Sequence, residues 1–249
     1  MSNQKTEKLY LWFALLGLLF VFAGLLMMRA LPPPSPTESA GRIAAVYRDH
    51  ASAIRWGGIL AMFGVAWLGP WYGVLTKQLK RIEGPNSPSA YCQLALGALL
   101  ILETIFPLMI LETAVFRPNR SPSEILVLSD LCWIPFVGLL YTLLVEWIVT
   151  GIAILRDNRE QPIFPRWVGQ LNFLAAALSL PGLVVVVAKT GPFAWNGVLG
   201  FWVPTVVGGL WIVIMTVFMF QAVNDEQAGL GAAATRYDTV EVWSGSSPR

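Results

Sequence analysis

The sequence predicts an all-α polytopic membrane protein: six transmembrane spans in one bundle, with one amphipathic helix at the interface. Three observations carry that prediction. Of 249 residues, 55% are apolar and only 13% charged, about half the charged share of an ordinary soluble domain. The mean hydropathy is +0.60. Six apolar runs approach the ~20 residues a helix needs to cross a ~30 Å hydrocarbon layer.

The first span, 11–30, follows Lys5 and Lys8 and precedes Leu31-Pro32-Pro33-Pro34. Met27-Met28-Arg29-Ala30 is not a small-x-small cleavage site, which favours a retained span over a signal peptide. Ser35-Pro36-Thr37-Glu38 has the form of a capping box, so a helix is expected to begin there. Ile43, Val46, Tyr47, His50 and Ile54 then recur at helical spacing, with Arg42, Arg48 and Asp49 on other faces, the pattern of an interfacial helix. It leads into a second span, 54–76.

Ser87-Pro88 supplies a cap and first-turn proline for the third span, 89–115. A second capping box, Ser121-Pro122-Ser123-Glu124, opens a helical pattern reaching Leu155; one helix of that length would measure about 50 Å. The excess predicts an extra-membrane turn before Trp133, a bend at Pro135 and a fourth span over 131–154. Spans over 165–188 and 198–221 complete the domain 1–221. The remainder, 222–249, is polar, rich in Gly, Ala and Ser and without an apolar stripe, and is expected to be a mobile cytoplasmic tail.

With the N-terminus inside, the internal loops carry Lys77, Lys80, Arg81, Arg156, Arg159 and Arg166, six cations against Arg117, Arg120 and Lys189 in the later external loops. Arg42, Arg48 and Arg55 in the first external segment narrow the contrast. Cytoplasmic loops are enriched in Lys and Arg. The expectation is a multi-pass protein of a bacterial cytoplasmic membrane with both termini inside.

A net charge of +2 without a basic run excludes nucleic acid as a partner and leaves membrane lipids and other membrane subunits. Haem, copper and iron–sulfur centres draw on several His or Cys. Here there is one His, and Cys92 and Cys132 fall near opposite ends of successive spans, too far apart for a disulfide. No cofactor and no metal are expected.

An ionisable side chain deep in lipid is a functional candidate by default. Glu103 lies near mid-bilayer by helical rise and Glu146 toward the inner end of the next, antiparallel span, so the two could face one another. They read either as a proton relay or as neutral acids hydrogen-bonded between helices, with Thr104, Thr142, Gln170 or Asn172 as partners; Asn172 joins them as a ligand- or proton-binding candidate. Glu112 reads as an interfacial group. Outside the spans, His50 with Asp49 could act as a general base or pH sensor, but no Ser, Cys or second His completes a nucleophile or metal set. Pro107, Pro135, Pro181 and Pro204 could break spans around a cavity, and Trp56, Trp67, Trp71, Trp147 and Trp211 either wall a lipophilic pocket or anchor the interface.

Phe164-Pro165-Arg166-Trp167-Val168-Gly169 resembles a Pro-Arg-Trp-aliphatic-Gly motif that opens a late span in a bacterial family of uncharacterised six-helix integral membrane proteins. The layout is similar as well: one span, an amphipathic external segment, then five more. The resemblance implies architecture and carries no activity. With no assembled nucleophile and no phosphate-binding glycine loop, the sequence points to a non-catalytic component: an accessory subunit of a membrane complex or a lipophilic-ligand-binding protein. The alternative is a small proton-coupled transporter using Glu103 and Glu146.

Overall fold

The computed structural model describes residues 3–244, with side chains as far as Glu226. Every regular element among them is helical: α1 (Asn3–Met27), α2 (Ala40–Asp49), α3 (Ala51–Ala66), α4 (Leu68–Glu83), α5 (Pro88–Phe116), α6 (Pro122–Gly138), α7 (Tyr141–Leu155), α8 (Arg166–Ser179) and α9 (Val203–Ser244). Six stretches are long and apolar enough to cross a membrane: Asn3–Met27, Ala51–Glu83, Pro88–Phe116, Pro122–Leu155, Arg166–Val184 and Val198–Glu226. Six crossings leave Asn3 and Glu226 on one face of the bundle, the terminal face.

α4 stands at the centre, packed against α1, α5, α7 and α9, with Trp71, Tyr72, Leu75 and Leu79 buried. α1 runs closest to α3. Gly17 and Gly24 on α1 meet Gly64 and Gly57 on α3, so the two backbones touch: a Cβ on Gly17 would stand 2.5 Å from the Gly64 carbonyl oxygen, and one on Gly57 2.6 Å from that of Gly24. A similar approach closes the α7–α8 hairpin, where a Cβ on Gly151 would stand 3.0 Å from the Gly169 carbonyl oxygen. Small residues at such crossings let van der Waals contact hold helices together where lipid gives no hydrophobic drive.

Several caps and breaks differ from the sequence expectation. Ser87 and Ser121 cap α5 and α6 as predicted, and Ser121 and Glu124 form the full capping box. The first box does not form. Ser35 instead closes a turn, its Oγ accepting from Thr37 N at 3.3 Å and its carbonyl from Glu38 N at 3.1 Å. Ser39, whose extended backbone suits the position, caps α2 by accepting from Arg42 N at 3.3 Å.

No turn precedes Trp133: α6 runs unbroken through Trp133 and Pro135. Trp133 is buried and donates to Tyr47 Oη at 3.1 Å, which holds the turn that Pro135 weakens. The helix yields four residues after the proline, at Leu139-Leu140, following Gly138, a poor helix former. In the fifth span α8 passes at Leu180-Pro181 into a tight turn of 3-10 helix, Leu180–Val184. The sixth opens with one π-helical turn, Val198–Trp202. α9 does not stop at 221: Ala222 and Val223 are buried, and the helix runs on to Ser244. The expected tail is thus helical over 222–244, and 245–249 lie outside the described residues.

Charges knit the terminal face. Lys77 Nζ lies 2.7 Å from Glu7 Oε1 and 2.9 Å from Glu226 Oε2, and Arg81 Nη1 donates to the Ala222 carbonyl at 3.1 Å, joining α1, α4 and α9. In the α7–α8 loop, buried Asp157 accepts from Arg159 Nε at 2.8 Å and from Ile163 N at 2.9 Å. Burial alone would raise its pKa, but these bonds outweigh it and hold the carboxyl below its usual range.

Gly57→Ala should therefore cost about 1–3 kcal/mol by overpacking in detergent melts, whereas Gly73→Ala, with nothing within 4 Å of its Cβ position, should cost nothing. Asp157→Asn should destabilise by about 1–2 kcal/mol at pH 7. A carboxyl with a depressed native pKa stabilises above its unfolded pKa and loses that contribution as pH falls through the native one. Melts of wild type and D157N should accordingly converge as the buffer is taken below pH ~4.

Candidate functional site

A polar seam crosses the bundle between α4, α5 and α7. It is built on one face of α7, where Thr142, Glu146 and Thr150 succeed one another at four-residue spacing. Thr142 Oγ1 donates to Glu103 Oε2 at 2.5 Å. One turn on, Glu146 is wholly buried and its Oε2 accepts from Tyr72 Oη at 3.3 Å. Gln93 faces the same carboxyl from α5; its Oε1 accepts from Thr76 Oγ1 at 3.0 Å. Glu146 Oε1, Gln93 Nε2 and Thr150 Oγ1 are all buried without a hydrogen bond. The two acids expected to face one another thus share a seam, one turn of α7 apart. Of their expected partners only Thr142 takes the role, since Thr104 bonds back to the Leu100 carbonyl and Gln170 is exposed.

Asn172 belongs elsewhere. Its Nδ2 donates to the Val168 carbonyl at 2.7 Å and its Oδ1 accepts from Trp211 Nε1 at 2.9 Å, pinning α8 to α9. Trp211 in turn packs on Trp71 and Trp147, with ring centroids 5.4 and 5.7 Å away, and Trp71 Nε1 donates to Thr216 Oγ1 at 2.8 Å. These three tryptophans fill the core by touching one another, while Trp56 is exposed.

The opposite face of the bundle holds a cavity of about 200 Å³. α2 and the segment 28–38 cover it, and the ends of α3, α5 and α6 form its floor. Met28, Ile43, Val46, Ile54 and Leu111 make the interior apolar, Trp133 is its tryptophan, and Arg29, Glu38 and Arg42 stand among its polar lining. Tyr47 fixes one wall. Its hydroxyl takes the bond from Trp133 and lies 2.8 Å from Ser129 Oγ, and burial pushes its pKa up to about 12, so it stays a neutral donor.

The arginines of this face fall into two kinds. Arg55 Nη2 donates to the Val115 carbonyl at 2.6 Å and Arg48 Nη2 to the Arg120 carbonyl at 2.8 Å, Arg55 satisfying the end of α5 where a cation is favoured. Glu112, near Arg55, packs over Gly58, where a Cβ would collide with its carboxylate. Among the described residues Arg29 and Arg42 make no side-chain hydrogen bond or ion pair, though both line the cavity. Arg29 also has φ +54°. It occupies the left-handed position that ends α1, with Ala30 N bonding Leu25 O at 2.9 Å and Arg29 N bonding Leu26 O at 3.0 Å, a place usually taken by glycine and costing another residue about 1 kcal/mol.

His50 sits at the joint between α2 and α3, its amide donating to the Val46 carbonyl at 3.1 Å, and Asp49 is exposed. Neither lines the cavity. Among the described residues no three His, Cys, Asp or Glu gather as a metal site would require, and Cys92 and Cys132 are both free.

Sequence reasoning missed Tyr72 and Gln93 around Glu146, and Arg29 and Arg42 at the cavity. Gln93, a lone amide in an apolar run, was a usable signal; nothing in the pattern set Arg29 and Arg42 apart from the other arginines. Comparison with family models, with curated proteins and with solved structures finds no match to this chain.

Proposed function

We propose that this chain is a non-catalytic multi-pass protein of a bacterial cytoplasmic membrane that holds a lipophilic ligand at the outer end of its bundle, alone or as an accessory subunit. The observation that carries the reading is the cavity beneath α2. The Lys and Arg count puts the termini in the cytoplasm, so the cavity lies at the level of the outer headgroups. Its apolar floor is fed by the ends of α3 and α5, and its volume of about 200 Å³ is below the ~300–1,000 Å³ of pockets that enclose a whole small molecule. It suits part of a molecule whose remainder stays in the bilayer.

Purification in mild detergent followed by native mass spectrometry should show a co-purifying lipophilic molecule. Val46→Trp, which fills the cavity from α2, should lower its retention several-fold. A wild-type protein that carries nothing would refute the reading.

The seam supports a second reading, proton-coupled transport through Glu103 and Glu146. The favouring observation is the unbonded Oε1 of wholly buried Glu146 beside the unbonded Gln93 amide, a polar position that could take a proton or a cation. In vesicles carrying a pH gradient, Glu103→Gln with Glu146→Gln should abolish pH-driven solute uptake. Acids that only hold helices together would leave uptake and retained ligand nearly unchanged in that double variant.

A further inference from the structure

We infer that the outer cavity selects an anionic phospholipid, with Arg29 and Arg42 clamping its phosphate while its proximal chain lies on the apolar floor. This deepens the lipid-holding reading and rests on it.

Two independent observations point to the clamp. The first is the contrast among neighbouring arginines: the guanidiniums of Arg48 and Arg55 donate to backbone carbonyls, whereas Arg29 and Arg42 line the cavity and their side chains make no hydrogen bond or ion pair among the described residues. Guanidinium forks match phosphate oxygens in charge and geometry, and Glu38 on the same cavity leaves one net positive charge. The second is the backbone of Arg29. A left-handed residue ending a helix is where glycine is favoured, and a strained backbone that persists is a sign of use elsewhere. At Arg29 the chain accepts that strain, at a residue that lines the cavity.

The lining argues for an amphiphile over a free anion. Met28, Ile54 and Leu111 lie at the outer ends of α1, α3 and α5, where a lipid's phosphate and first methylenes reside, and they would offer inorganic phosphate no contact.

The discriminating variant is Arg29→Gly. It relieves the left-handed strain while removing the guanidinium, so it should raise the melting temperature of lipid-stripped protein and still lower phospholipid binding. The full chain, stripped and then incubated in mixed micelles of phosphatidylglycerol or phosphatidylcholine, is assayed by native mass spectrometry. Wild type should retain phosphatidylglycerol about tenfold better, because the choline cation of phosphatidylcholine offsets the same phosphate and is repelled by the two guanidiniums; Arg29→Gly and Arg42→Gln should each bring retention to the phosphatidylcholine level.

Equal retention of both lipids by wild type, unchanged in the variants, overturns the clamp and leaves the lipid-holding reading standing. Retention of neither removes that reading too. Displacement of phosphatidylglycerol by millimolar inorganic phosphate would show that the head group alone is recognised and would overturn the amphiphile. A fall in melting temperature for stripped Arg29→Gly would mark Arg29 as structural and overturn its assignment.

Discussion

The backbone contact between α1 and α3 governs where the chain around the cavity beneath α2 can run. Inside a membrane two helices gain little hydrophobic energy by meeting, because lipid tails solvate them as well as each other. What remains is close packing, and Gly17, Gly24, Gly57 and Gly64 allow it over two turns of both helices. Gly24 and Gly57 lie just below the end of α1. Their contact therefore sets where the chain leaves the bundle, where Met28 and Arg29 stand, and how the Pro-rich segment returns over α2. A cavity between that segment and the ends of α3 and α5 exists because this one crossing is tight.

The irregular backbone has a shared location. The break at Leu139-Leu140, the 3-10 turn Leu180–Val184 and the π-helical turn Val198–Trp202 adjoin one another. Each lies near a proline: Pro135, Pro181 or Pro204. Non-helical backbone at membrane depth is tolerated only where protein or a cavity surrounds it, and here each break is covered by the others. Leu140 packs on Gly182, whose Cβ position it would occupy, and a Cβ there would stand 3.4 Å from the Gly200 carbonyl oxygen. A second cavity, about 190 Å³, opens beside this knot between α1, α5 and α9, with Gly200, Pro204, Gly208 and Gly209 in its wall. Pro107, by contrast, stays inside continuous helix.

The number of spans, their order and the amphipathic helix were legible because they depend on hydropathy and period alone. Caps were legible where one serine competed for the role, as at Ser87 and Ser121, and failed where Ser35 and Ser39 both could serve. The break near Pro135 was placed wrongly because a buried tertiary bond, Trp133 to Tyr47, decides which turn holds. The end of the sixth span was misjudged because composition alone does not separate a polar helix from a polar tail. Glu103 and Glu146 were found as candidates from depth alone. Their shared seam depends on the azimuth of α7 against α4 and α5, which periodicity cannot give, and the pairing of Asn172 with Trp211 was out of reach for the same reason.

The two faces of the bundle use charge differently, and that difference separates architecture from site. At the terminal face Lys77, Glu7, Glu226, Arg81 and the Asp157 loop answer one another, cation against anion, across three helices and a loop. Each of these pairs joins a partly exposed cation to a buried or half-buried carboxylate, so together they fix how the helix ends meet. At the opposite face arginines dominate, and acids do not balance them. Arg55 is absorbed by the carbonyls ending α5 and Arg48 by a loop carbonyl, that of Arg120, which leaves Arg29 and Arg42 beside an apolar hollow. A face that needed cations only to mark its side of the membrane could carry them anywhere on its loops. Placing one of them on a left-handed residue where glycine would be easier is a cost that structure alone does not call for.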